Sequence, residues 1–235
     1  MRYALVFALL AALLAFLGLV TAGPTNGVSF VALYPAVSLL LMAVAYAFGR
    51  PALLGKRSDG GRDWFLRILL GPYLLLTRLS FLLYKLPGRH TPASEVIPNL
   101  FLGRRLTAAE AVRYPGAVVI DLAAEFSKVL VLRQPDRYLS LPVLDATAPT
   151  EEQLNTAVRW IESHIPDRPV FVHCALGHGR SASVVVAYLL QTGRVGSVRD
   201  GLRLLRQGRP GVGLSASQRQ LLERRHAARN PSGGA

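Results

Sequence analysis

The chain has 235 residues, a formal net charge of +13, 51% hydrophobic and 17% charged side chains, and one cysteine. A mean hydropathy of +0.33 with so few charges excludes a disordered chain, and the length admits one catalytic domain with something small beside it. One cysteine excludes an internal disulfide framework and any multi-cysteine zinc or iron–sulfur site.

The apolar residues are unevenly spread, with no charged side chain between Arg2 and Arg50. Tyr3 to Ala22 is a run of 20 residues. At about 1.5 Å each it reaches across a ~30 Å hydrocarbon core. Gly23 to Gly27 supplies turn chemistry, and a second uncharged stretch of spanning length follows over about 28–48. Neither stretch has the polar face of a soluble amphipathic helix. Arg2 with Val20-Thr21-Ala22 resembles a cleavable signal, but the apolar run exceeds the usual h-region, which favours an uncleaved anchor. Arg50, Lys56, Arg57, Arg62 and Arg67 follow the hairpin against only Asp59 and Asp63. Both flanks therefore prefer the cytoplasmic side, which in a bacterium means the cytoplasmic face of the inner membrane.

Residues 64–86 are as apolar as a span yet carry Arg67, Arg78 and Lys85, with Gly71-Pro72 inside. At 100° per residue the three cations fall within about 20° of one another. This is the pattern of an interfacial helix with its basic stripe toward anionic head groups. A third span would place the remaining chain outside, so the expected organisation is two transmembrane helices within 1–49, a basic linker and interfacial helix over 50–90, a catalytic domain over 91–228 and a flexible tail over 229–235.

From about Thr91 the sequence is that of a globular domain. Ile97–Gly103, Ala117–Leu122, Arg137–Leu141 and Pro169–His173 predict strands. Helices are expected from Thr150, whose Gln153 completes a start signal, over Arg180–Leu190, near Ser197–Arg206 and near Ser215–Arg225. Strands alternating with helices imply an α/β layer structure with a mostly parallel central sheet flanked by helices.

The informative segment is VFVHCALGHGRSAS, Val170 to Ser183. A buried strand ends at His173, the lone cysteine Cys174 follows, and a helix opens near Arg180. A short loop between strand and helix wraps its amide N–H groups around a tetrahedral anion, and the helix N-terminus adds partial positive charge at the same point. Gly177 and Gly179 permit the backbone such a nest requires. Arg180 grips two phosphoryl oxygens with a planar fork that lysine lacks. A thiol at the base of that nest is favoured as thiolate, so one geometry both binds the dianion and arms the nucleophile.

His173-Cys174, followed after five residues by Arg180-Ser181, resembles the active-site signature of the cysteine-dependent protein tyrosine phosphatase superfamily. Leu141-Pro142-Val143-Leu144-Asp145 resembles the general-acid loop of its dual-specificity branch. Asp145 precedes Cys174 by 29 residues, an order opposite to that of the low-molecular-weight tyrosine phosphatases. Ile97–Gly103 and Arg209-Pro210 are similar to the opening strand and closing segment of dual-specificity domains, so the resemblance covers about residues 93–228.

The resemblance implies that Cys174 is the nucleophile and Asp145 the general acid. Arg180 and the amides of Ala175, Leu176, Gly177, His178 and Gly179 bind phosphate, Ser181 stabilises the departing thiolate, and His173 orients the loop. It implies no cofactor and no metal, and the scattered His90, His164 and His226 give no ligand spacing. Asp121, at a strand end, is expected to be structural. The loop carries no lysine or arginine between Cys174 and Arg180, which counts against polyphosphorylated inositol lipids, and His178 supplies little charge near neutral pH.

The implied function is a membrane-anchored phosphatase of phosphoproteins carrying Tyr, Ser or Thr phosphate. One alternative is a lipid phosphatase acting on phosphatidylglycerophosphate or another phospholipid monophosphate, since the stretch from Leu141 to Thr147 has some similarity to mitochondrial-type phosphatidylglycerophosphate phosphatases. The other is a catalytically silent phosphate-binding adaptor. Among the 27 basic side chains, Arg104, Arg105 and the run Arg199–Arg209 are expected to face an anionic substrate or leaflet. No nucleic-acid recognition motif accompanies the charge.

Overall fold

The computed structural model describes residues 2–22, 27–86, 91–129 and 135–229. The turn expected over 23–27 lies outside the described residues except for Gly27, and so does the tail from Asn230. The chain forms two compact units, residues 1–89 with 124–127, and residues 90–123 with 128–235.

In the first unit, α1 (Arg2–Ala22) and α2 (Gly27–Ala47) are long and apolar enough to cross a membrane. They meet where side chains are small: a Cβ on Gly18 would lie 2.7 Å from that of Ala32. Ser29 Oγ donates to the Gly18 carbonyl at 3.3 Å, the close backbone approach that small residues permit between apolar helices.

The helix expected over 64–86 runs instead as two, α3 (Trp64–Leu69) and α4 (Gly71–Lys85), separated at Leu70. Asp63 caps α3 by accepting from Leu66 N at 3.1 Å. Pro72 has no N–H to return to the Ile68 carbonyl. That carbonyl accepts instead from the Tyr34 hydroxyl of α2.

The second unit is built on a five-stranded sheet with β1 (Ala93–Ile97), β2 (Leu100–Arg104), β3 (Val118–Ala123), β4 (Tyr138–Val143) and β5 (Val170–Cys174) in the order β1-β2-β5-β3-β4. Only the β1–β2 pair is antiparallel. Where a single strand is expected over Ile97–Gly103 there is a hairpin. Asn99 sits in the left-handed region at φ 67° beside Pro98, and asparagine is among the side chains that tolerate that conformation.

Strand alternation sorts the sheet into two faces. Val118, Ile120 and Leu122 of β3 and Val170, Val172 and Cys174 of β5 join one core, with side chains of α6 (Glu151–His164), α7 (Arg180–Gln191), α8 (Val198–Gly208) and α9 (Ala216–Arg229). Val119, Tyr138 and Phe171 point the other way, into a smaller cluster with Leu106 and with Ala111 of α5 (Ala108–Ala111). The helix start read at Thr150 is a capping box: its hydroxyl accepts from Gln153 N at 3.1 Å while Gln153 Oε1 accepts from Thr150 N at 3.0 Å. Central β5 has β2 on one side and β3 on the other. The loop leaving its C-terminal end therefore opens where ligands bind in parallel α/β sheets.

Candidate active site

Cys174 is the last residue of β5 and α7 begins at Arg180, so Ala175–Gly179 must reverse the chain within five residues. The turn depends on Gly177, whose φ is +74° and whose added Cβ would lie 2.4 Å from the Gly103 carbonyl. Any side chain there is both strained and blocked by the end of β2. The Gly177 N–H donates to Cys174 Sγ at 3.3 Å, and Ser181 Oγ lies 3.3 Å from the same sulfur. The sulfur is buried at the closed end of a loop whose open side meets the N-terminus of a 12-residue helix.

Arg180 is 1% exposed and reaches back over the loop. Its Nη1 donates to the Val143 carbonyl at 2.9 Å, and its Nη2 lies 2.9 Å from Asp145 Oδ1. One guanidinium thus binds the last residue of β4 and faces the carboxylate just beyond it. The Asp145 side chain is 69% exposed, so the pair adds little stability of its own. What it does is hold a carboxylate beside the buried guanidinium.

His173 lies on the opposite face of β5 from Cys174. Its Nδ1 is 3.0 Å from the Cys174 carbonyl, and because a carbonyl only accepts, Nδ1 carries the hydrogen. Asp121 pairs with His173 across the β3–β5 register, with Oδ1 3.9 Å from Nδ1. It accepts from Tyr138 Oη at 2.5 Å and from Ala123 N at 2.9 Å. Buried and bonded in this way, Asp121 is part of the framework behind the loop.

The structure therefore brings Cys174, Ser181, Arg180 and Asp145 together around one loop, with His173 behind it. His178 packs its ring against Gly211, whose added Cβ would meet Nε2 at 2.9 Å. Its carbonyl accepts from Gly213 N at 3.2 Å. Among the described residues no group of three His, Cys, Asp or Glu side chains is placed to hold a metal ion.

Two arginines expected to face an anionic substrate or leaflet are instead buried under the loop. Arg104 makes a two-pronged pair with Glu110, Nη2 to Oε1 at 2.8 Å and Nη1 to Oε2 at 3.0 Å. Its guanidinium, with the N–H and hydroxyl of Thr107, holds the Glu110 carboxyl down at about 2. Arg209 is buried against the carbonyls of Leu176, Gly177 and Thr91. The Thr107-to-Glu110 spacing is a readable capping signal for Glu110. The Arg209 contacts cross more than thirty residues of sequence, and no local pattern announces them.

A thiol, a wrapped loop, an arginine fork and a facing carboxylate are what cysteine-based phosphoryl transfer requires. The family model of the dual specificity phosphatase catalytic domain matches residues 105–227, over half of the chain. The chain belongs to this family. It is 26% identical over 136 residues to dual specificity protein phosphatase 22 of Mus musculus and of Homo sapiens, covering 55% of this chain and 72% of each relative. Among solved structures, a mutant form of Tk-PTP superposes with a TM-score of 0.53 at 28% identity, over 60% of this chain and 97% of that one. PTPMT1 in complex with PI(5)P shares the fold with a TM-score of 0.51 at 20% identity, over 59% and 96% of the two chains. This dual-specificity-type chain is a cysteine-dependent phosphoric monoester hydrolase.

Proposed function

We propose that the protein is a membrane-anchored phosphatase of phosphoproteins, with its catalytic domain on the cytoplasmic side. The observation that carries the chemistry is the sulfur of Cys174 in contact with the Gly177 amide and the Ser181 hydroxyl, with Arg180 at the end of the same loop and its Nη2 2.9 Å from Asp145 Oδ1. The thiolate of Cys174 attacks phosphorus, forming the S–P bond as the ester P–O bond breaks. Asp145 gives its proton to the leaving oxygen. Arg180 and the loop amides hold the three equatorial oxygens. The Asp145 carboxylate then takes a proton from water, whose oxygen bonds to phosphorus as the S–P bond breaks. Inorganic phosphate leaves and the thiolate returns, with Ser181 donating to it and His173 steadying the loop. The curated relatives, both named as protein phosphatases, support the phosphoprotein reading.

A second reading, a phospholipid monophosphate substrate, is favoured by α1 and α2, since a bilayer tether raises the effective concentration of any substrate held in the same surface. One comparison tests both. Phosphate release by the wild type, Cys174→Ser and Asp145→Asn is measured with EDTA present, on phosphotyrosine peptide, phosphoserine peptide and phosphatidylglycerophosphate in mixed micelles. Metal-free release that disappears with Cys174→Ser is expected, with the peptides turned over faster than the lipid. Faster lipid turnover replaces the first reading with the second, and wild-type inactivity on all three overturns both.

A further inference from the structure

Arg209 stands outside the signature, yet the residue is 5% exposed and its guanidinium spends three donors on main-chain carbonyls. Nη2 donates to Leu176 O at 2.8 Å, Nε to Gly177 O at 3.0 Å and Nη1 to Thr91 O at 2.9 Å. Two of these carbonyls belong to the phosphate loop itself. In a trans peptide unit the carbonyl of one residue and the N–H of the next point in opposite directions. Holding Leu176 O on the outside of the loop therefore turns Gly177 N–H to the inside, where it meets Cys174 Sγ at 3.3 Å. Holding Gly177 O in the same way turns His178 N–H inward beside it.

We infer that Arg209 is a positioning residue for phosphoryl transfer, an outer clamp that fixes the two peptide units whose amides face the nucleophile and the anion. Several features support this. The bonds are charge-assisted on the donor side, hence short and strong. Drawing electron density onto each carbonyl also makes the attached N–H a better donor, as in any chain of polarised hydrogen bonds. Thr91, just before β1, anchors the third prong to a second segment, so the fork cannot swing away from the loop without breaking that bond. The geometry needs a planar fork that serves three acceptors at once. A lysine ammonium on a flexible stem does not reproduce it. The arginine lies outside the loop, so it acts on substrate only through the amides it aims.

This inference rests on the reading of Cys174 as nucleophile, and the test separates the two. Full-length wild type, Arg209→Ala, Arg209→Lys and Cys174→Ser are compared for kcat and KM on phosphotyrosine peptide, for inhibition by orthovanadate, and for recovery of rate with millimolar guanidinium chloride. Arg209→Ala is expected to lose on the order of 10²-fold in kcat, the scale of one misdirected oxyanion donor. Vanadate inhibition should weaken in parallel, and guanidinium should restore part of the rate to this variant while giving none to the wild type. Arg209→Lys is expected to lie between, and it decides the matter if the alanine variant does not fold. Rates and vanadate inhibition within about threefold of wild type in whichever variant folds, or an Arg209→Ala deficit that guanidinium leaves untouched, overturn the clamp. Undiminished turnover by Cys174→Ser overturns the underlying reading instead.

Discussion

Helices α1 and α7 are both rich in apolar residues, and they treat those residues in opposite ways. In α7 every position from Arg180 to Leu189 is buried, because the sheet lies beneath it and α6, α8 and α9 pack around it. In α1 only 11% of the apolar window is buried, and Leu5, Leu9, Leu13 and Phe16 stand outward. The sequence already separates them, since α1 runs 21 residues without a polar face and α7 runs 12 with Arg180, Ser181 and Ser183 in its first turn. What the structure adds is whether the described residues supply a partner surface. For α7 they do. For α1 the outward apolar side chains fit the proposed membrane anchor, since a bilayer core is as apolar as they are.

The largest expected effect lies at the mouth of α7. Cys174→Ser should lower turnover by roughly 10⁴-fold or more, since removal of a nucleophile leaves only binding and electrostatics. Residual turnover near that of the wild type would detach the helix N-terminus from catalysis. Asp145→Asn should cost about 10²–10⁴-fold on peptide substrates. It should cost much less on an aryl ester whose leaving group needs no proton, so a leaving-group series checks the acid role. An equal loss on all esters would reassign Asp145 to holding Arg180.

The two helices can then be set against each other directly. Leu189 of α7 is fully buried, and Leu189→Ala should destabilise folding by about 2–5 kcal/mol, read from the denaturation midpoint. Leu9 of α1 is 62% exposed, and Leu9→Ala should leave folding nearly unchanged. Leu9→Arg should add about 3–4 kcal/mol to the cost of membrane insertion, the arginine penalty plus the lost leucine gain, read as protein lost from the carbonate-resistant membrane fraction. If Leu9→Arg remains as firmly membrane-bound as wild type, α1 is not the anchor.

How much of this is legible in the sequence follows the range of the interactions involved. The strand into Cys174, the loop glycines and Arg180 lie within a few residues of one another, as Thr150 and Gln153 do at their helix start, and each group carries its chemistry in its own spacing. The β1–β2 hairpin escapes notice because Val96, Ile97, Leu100 and Leu102 read as one apolar run, although Pro98-Asn99 holds the turn. The break at Leu70 is half visible, since Gly71-Pro72 stands in the sequence but the Tyr34 hydroxyl that accommodates it comes from another helix. Arg104 and Arg209 are misread for the same reason. An arginine in a basic sequence reads as surface until the structure shows Glu110 or a pair of loop carbonyls around it.

The smallest expected effect concerns that misread Arg104. Bonding from Arg104, and then from Thr107, lowers the Glu110 carboxyl from its ordinary 4.5 to about 2. A carboxyl depressed on folding contributes stability that is fully present above its unfolded value and is lost as the pH falls toward its folded one. The stabilisation should therefore be complete above about pH 4.5 and fade between there and about pH 2. Glu110→Gln keeps the shape and removes the charge, and near neutral pH it should cost about 1.5–3 kcal/mol, the range for a hydrogen bond to a charged group. The gap between wild type and variant in urea denaturation should narrow steadily across that acid window. A gap that stays constant from pH 6 down to pH 3 would mean that Glu110 supports the end of β2 by packing and capping alone, and that Arg104 is held beside the phosphate loop by something other than its charge.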